Sequence, residues 1–243
     1  MSTYVLIHGA FHGGWCWRKV VPLLEAAGHA VVAPDLPGHG EDGTPPATVT
    51  LDDYADRVCA VTGAQKEPVI LVGHSLGGVA ITHGAEKCPN RVRALVYLCA
   101  FLPRNGESAS GLAREDLESL LNPNFVRVGD GVVEVRPEII HQALYGNCAQ
   151  EDEAFATSRL TPQAFAPLKT AVMTSAERWG KIPRYYIECT GDRAITLGMQ
   201  RKMQANCPCR EVFTIGTDHS PFFSAPEKLV EILTRIGSAK AEA

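Results

Sequence analysis

The stretch Val69-Ile70-Leu71-Val72-Gly73-His74-Ser75-Leu76-Gly77-Gly78 runs an apolar, strand-like segment directly into Gly-x-Ser-x-Gly, and helix-like sequence follows to Lys87. Strand, tight turn, helix is the context in which this motif presents a serine, here Ser75, as a nucleophile. Gly73 and Gly77 have a steric task, because so sharp a turn leaves no room for Cβ atoms beside the serine. The bare pentapeptide is expected by chance in roughly a tenth of chains of this length. The flanking strand and helix therefore carry the argument, and they point to hydrolytic chemistry.

Outward from this turn, short apolar runs alternate with amphipathic segments. Strands are expected over 3–8, 30–34, 68–73, 93–99, 184–190 and 211–215, and helices near 15–27, 51–62, 76–87, 197–206 and 225–236. Gly28 closes the first helix, Pro226 sits in the first turn of the last, and Pro89 follows the helix after Ser75. Buried, non-alternating strands separated by helices imply an α/β fold, with six strands in a mostly parallel sheet covered by helices on both faces. From Pro103 to Lys181 the alternation stops, and Pro123, Pro137, Pro162 and Pro167 divide a helical and loop-like stretch. This segment, 103–181, reads as a helical cap inserted after the fourth strand of a single domain spanning 1–243.

The chain has 243 residues, 45% hydrophobic and 21% charged, enough for one large core. A net charge of −4, a pI near 6.1 and the lack of a Lys/Arg cluster argue against nucleic-acid binding. No apolar run approaches the roughly 18 residues that span a bilayer. With strand-like sequence from Thr3, no signal peptide is expected. The eight cysteines (16, 59, 88, 99, 148, 189, 207 and 209) are scattered and mostly sit in apolar segments, so free thiols and a cytoplasmic location are expected. Cys207-Pro208-Cys209 lacks a second Cys/His pair at ligand spacing, and no metal site is expected. The expected partner is a small-molecule substrate; the sequence leaves open whether the chain forms a homodimer.

A serine hydroxyl needs a base, an acid to orient that base, and donors for the oxyanion. In the chain order Ser, acid, His, the base belongs after the last strand, where Gly216-Thr217-Asp218-His219-Ser220-Pro221 supplies His219. The acid belongs after the preceding strand, where Gly191-Asp192 supplies Asp192. Asp218 is adjacent to the histidine and projects away from its ring, and Glu188 lies inside a strand. The slot after the fourth strand, Cys99-Ala100-Phe101-Leu102, holds no carboxylate. Oxyanion donors are expected from the backbone N–H groups of Ala10 and Leu76. A strand order 2-1-3-4-5-6 would set the loops after strands one and three side by side, at the crevice where open α/β sheets bind ligands. His12 is read as pinning the first loop, with donation to substrate as the alternative. Trp15 and Trp17 are read as helix-packing residues.

Four segments together resemble the α/β-hydrolase superfamily over essentially the whole chain: residues 6–17, Asp35-Leu36-Pro37-Gly38-His39-Gly40, the turn around Ser75, and Asp218-His219-Ser220-Pro221-Phe222-Phe223. They are most similar to the six-strand branch of plant methylesterases and hydroxynitrile lyases and to bacterial pyrethroid-type carboxylesterases. The resemblance implies the α/β-hydrolase fold, Ser75, Asp192 and His219 as catalytic, and no metal or organic cofactor. Lyases of this branch typically carry Thr in place of Gly9, an acidic residue in place of His74 and Lys in place of Ser220, so the departures favour an esterase. The expected activity is serine carboxylesterase action on small to medium apolar esters. The alternatives are a hydroxynitrile lyase or other cofactor-free reaction, and a non-catalytic ligand receptor. Within the cap and first loop, His12, Phe125, Tyr145, Phe155, Phe165 and Trp179 are candidate pocket walls or simply core.

Overall fold

In the computed structural model, which describes residues 1–239, the expected strands form β1 (Thr3–Ile7), β2 (Ala30–Val32), β3 (Val69–His74), β4 (Val92–Leu98), β5 (Arg184–Cys189) and β6 (Glu211–Ile215). They pair in the order β2-β1-β3-β4-β5-β6, and every pairing is parallel. All six residues of β3 are buried, as a central strand with both faces covered requires. Ile7 pairs with Gly73, and Gly73 with Tyr97. The carboxyl ends of β1, β3 and β4 are therefore level, and the loops after them emerge along one edge.

The core helices are α1 (Val20–Ala26), α2 (Leu51–Gly63), α3 (Gly77–Lys87), α4 (Leu197–Asn206) and α5 (Pro226–Ser238); α1 packs on α5, and α2 on α3. Helix α2 starts at a capping box in which Thr50 and Asp53 each accept the other's backbone N–H. The single helix expected over 15–27 is instead a 3₁₀ turn at Gly14–Trp17 followed by α1. Pro22 explains the break: without an N–H it cannot bond back to the carbonyl four residues earlier, so it is accommodated only in the first turn.

Helices α2 and α3 approach closely at Gly84, where a Cβ would lie 2.6 Å from Val58 Cγ1. The same approach brings Cys59 and Cys88 to a Cα separation of 5.8 Å, and they form a disulfide. This corrects the reading of all eight cysteines as free thiols. The pair was invisible in the sequence because 29 residues separate its members.

Between β4 and β5 the chain forms helices Ala109–Ala113, Pro137–Leu144, Gln150–Thr157 and Phe165–Lys169. It also forms a three-stranded antiparallel sheet from Phe125–Gly129, Val132–Val135 and Gln163–Ala164. The insertion is thus not helical throughout. Asp130-Gly131 between two Val-rich runs was the readable signal, and Gly131 takes the positive φ of +77° that such a turn demands. The insertion is tied to the core by buried Asp152, which pairs with Arg18 and Lys19, and by the Thr161 N–H, which donates to Phe11 O at 2.9 Å. Among the described residues no helix is long and apolar enough to cross a membrane.

Replacing Gly84 by Ala forces a methyl group into Val58 and should destabilise the protein by about 1–3 kcal/mol. Urea unfolding followed by circular dichroism measures this, and an unchanged midpoint would contradict the close approach of α2 and α3.

Candidate active site

Between β3 and α3 the backbone turns so sharply that Ser75 takes φ +53°. A Cβ on Gly73 would lie 2.6 Å from Gly77 O, one on Gly77 2.7 Å from His8 O, and one on Gly78 2.1 Å from Phe101 O. The turn therefore closes only with glycine at all three positions. Hydrogen bonds hold the strained residue: Ser75 N donates to Leu98 O at 3.3 Å, and Ser75 O accepts from Gly78 N and Phe101 N, both at 3.1 Å. Ser75 is 6% exposed, so it lies at the bottom of a recess and not on an open surface.

His219, in the loop after β6, lies with Nε2 2.9 Å from Ser75 Oγ and Nδ1 2.7 Å from Asp192 Oδ2. With Nδ1–H donating to the carboxylate, Nε2 is left to accept the serine O–H. Asp192 Oδ1 accepts from the N–H groups of Ala194 (2.7 Å) and Ile195 (3.0 Å), and Gln200 Nε2 donates to Oδ2 at 3.3 Å. Burial pushes the Asp192 carboxyl up from the ordinary carboxylate range, and the adjacent His219 is the main influence opposing it. The competing carboxylates are engaged elsewhere. Asp218 accepts from Ser220 N, Ser224 Oγ and Asn147 N, so it joins the histidine loop to the insertion. Glu188 pairs with Arg201 at 2.9 Å.

Ala10 and Leu76 line the same recess as Ser75, and no acceptor among the described residues takes either N–H. His12 fixes this loop: its Nδ1 lies 2.8 Å from Ala10 O and its Nε2 2.8 Å from the Tyr145 hydroxyl. Gly9 is hemmed in, since a Cβ there would lie 2.7 Å from Ser75 Cβ and 2.9 Å from His74 Nδ1. His74 Nε2 donates to the carbonyl of His219 at 2.8 Å.

The recess encloses about 390 Å³, mouth included. Of the expected walls it contains Phe125 alone. Tyr145 and His12 stand behind the first loop, bonded to each other. Phe155 packs against Trp15 and Phe223, and Phe165 lies under Arg127 and Lys169. Trp179 donates to the Tyr97 hydroxyl at 3.0 Å beneath Arg184. The walls include Phe101, Ala109, Leu121, Leu168 and Ile195, none of which the sequence reading selected. Ile195 was within reach of it, lying three residues past Asp192 on the same loop; the others come from segments with no periodic signature.

His74, Cys99 and His219 each bring one ligand atom within 4.8 Å of the others, fully buried. Both ring nitrogens of His219 already serve Asp192 and Ser75, so a cation there would have to break that chain.

Burial holds four histidines neutral around the site: His8 is lowered to about 4, His12 and His39 to about 3, and His74 well below the ordinary value. Unfolding returns each to about 6.5 and lets it take up a proton. Their contribution to stability is complete above about pH 6.5 and is lost as pH falls below it, by on the order of 1 kcal/mol per pH unit for each. The melting temperature should therefore drop steeply from pH 6.5 to 4.5, and a flat profile over that interval would contradict the neutral, buried histidines.

The profile of the alpha/beta hydrolase family matches residues 4–232. Salicylic acid-binding protein 2 of Nicotiana tabacum is 36% identical over 96% of this chain and 96% of its own. Methylesterase 7 of Arabidopsis thaliana is 32% identical over 99% of this chain and 98% of its own. The crystal structure of a pyrethroid hydrolase from Sphingobium faniae JZ-2 superposes with a TM-score of 0.86 at 31% identity, covering 100% of this chain and 99% of that one. The match spans both the sheet and the loops that carry Ser75, Asp192 and His219, and the chain belongs to the alpha/beta hydrolase family.

Proposed function

We propose that this esterase of the alpha/beta hydrolase type is a serine carboxylesterase that cleaves small to medium apolar esters through an acyl-enzyme. The observation that carries the reading is the unbroken hydrogen-bonded chain Ser75–His219–Asp192 beside two unengaged backbone N–H groups. As the Ser75 oxygen attacks the ester carbonyl, its proton passes to His219 Nε2, and Asp192 stabilises the imidazolium that forms. The carbonyl oxygen becomes an oxyanion, stabilised by the N–H groups of Ala10 and Leu76. His219 returns the proton to the leaving alkoxide, which departs as the alcohol. It then deprotonates a water that attacks the acyl group, releasing the carboxylic acid and regenerating Ser75.

The substrate range follows from the recess. Its walls are almost wholly apolar, and of the about 390 Å³ counted out to its mouth only about 30 Å³ admits the centre of a water-sized molecule, which favours small apolar esters. Methylesterase 7 is named for ester cleavage and the Sphingobium faniae protein for hydrolysis, which supports the same chemistry here. Cyanohydrin cleavage fits less well. It needs a cation to hold the departing cyanide, and the position after His219, where lyases of this branch typically carry Lys, is Ser220, which supplies none.

Ser75→Ala should remove turnover of an activated ester by on the order of a millionfold while the protein stays folded. A purified variant that keeps more than about a hundredth of the wild-type rate would show that Ser75 is not the nucleophile. Asp192→Asn should cost roughly four orders of magnitude by favouring the wrong imidazole tautomer; near-wild-type turnover would move the acid elsewhere. The unmodified protein should hydrolyse p-nitrophenyl acetate and leave mandelonitrile at the buffer background. Efficient mandelonitrile cleavage without ester hydrolysis would replace the esterase reading with a lyase.

A further inference from the structure

A second cavity of about 640 Å³, mouth included, lies beside the recess that holds Ser75. Its walls are Phe11, Val135, Pro137, Ile140, Leu160 and Pro162, together with exposed Glu134 and Thr157 and half-buried Thr161. The two cavities meet at one aromatic contact. Phe125 lines the Ser75 recess, Phe11 lines the second cavity, and their rings pack edge to face with centroids 5.6 Å apart. The insertion's hairpin repeats the juxtaposition, since Phe125 pairs directly with Val135. Partners directly opposite in an antiparallel pair share one face, so the hairpin presents a wall residue of each cavity side by side.

The backbone explains how neighbouring residues come to line different cavities. Ala10 lines the recess, and Phe11, the next residue, takes φ +66°. A bulky side chain in the left-handed region is a genuine outlier, and such strain persists only where the surroundings impose it. Here the Phe11 carbonyl is bonded to the N–H of Thr161, itself a wall residue of the second cavity, and the ring is 3% exposed.

We propose that the Phe11–Phe125 pair is a partition that limits the length of the ester this enzyme accepts, and that the cavity behind it is a latent apolar subsite for a longer hydrocarbon portion. The inference rests on the reading of Ser75 as an esterase nucleophile. With the partition in place, an ester bound at Ser75 has only the recess for its apolar chain, and turnover should fall as the chain grows. Removing either ring joins the two spaces. Each further methylene that enters then gains up to about fourfold in kcat/KM.

The test uses two series of substrates, p-nitrophenyl esters from acetate to dodecanoate and alkyl acetates from methyl to decyl. The proteins compared are wild type, Phe11→Gly and Phe125→Ala. Glycine suits the positive φ at position 11, and half-buried Phe125 keeps the test available if Phe11→Gly does not fold. The expected result is a rise of at least tenfold in the kcat/KM ratio of an eight-carbon to a two-carbon chain, in at least one series, for either variant. Adding Ile140→Trp, which puts a larger side chain into the second cavity, should abolish that rise. A length profile unchanged from wild type in both series for every variant that folds, or a rise that survives Ile140→Trp, overturns the partition. Failure of the wild type to hydrolyse even the acetates would instead count against the esterase reading itself.

Discussion

The whole arrangement depends on one steric constraint, the absence of side chains where β3 turns into α3. Gly77 lies against the carbonyls at the end of β1, and Gly78 against the carbonyl of Phe101 beyond β4. Any Cβ at these positions would overlap those oxygens and push the helix off the sheet. Because the three chain segments touch through bare backbone, the loops after β1, β3 and β4 converge around Ser75. The strain this imposes is local. Phe11, Ser75 and Cys99 are the non-glycine residues with positive φ among those described, and each follows the carboxyl end of one of three adjacent strands. Backbone strain of this kind gathers where function demands a particular geometry.

Around that constraint lie four histidines that burial keeps neutral. His8 accepts the Leu36 N–H, His12 bridges Ala10 and Tyr145, His39 lies between Thr161 and Tyr54, and His74 holds the His219 carbonyl. Each bond joins a different loop to the site, and each ring is too buried to carry a charge cheaply. The result is a rigid, low-dielectric surround in which the Asp192–His219 interaction is weakly screened. The same network couples the integrity of the site to the fold, since protonating these rings is favoured only when the chain opens.

The insertion between β4 and β5 contributes through shape. Its hairpin and short helices supply much of the wall of the Ser75 recess and most of the neighbouring cavity. Its aromatic residues are largely spent on packing: Tyr145 on His12, Phe155 on Trp15 and Phe223, and Trp179 on Tyr97. Of the aromatic residues expected as walls, Phe125 therefore is the one that lines the recess. A small recess is lined as readily by Ala109 or Leu121, residues that nothing in a linear reading sets apart.

By itself, the sequence determined the order of strands and helices and the positions from which Ser75, Asp192 and His219 project. Strand-to-helix turns and strand-end loops are local events, governed by glycine, proline and hydrophobic runs within a few residues. Even Asp192 could be preferred over Asp218 on local grounds, because a residue adjacent to the histidine cannot reach its ring edge. Only the tertiary structure decided what depends on distant segments meeting. The Cys59–Cys88 bond exists because α2 and α3 nest at Gly84. The Asp130-Gly131 hairpin has a third strand only because Gln163–Ala164 returns to it. The size of the recess is set by the volume left between insertion and sheet, a quantity that belongs to the packing of many side chains and to no stretch of sequence.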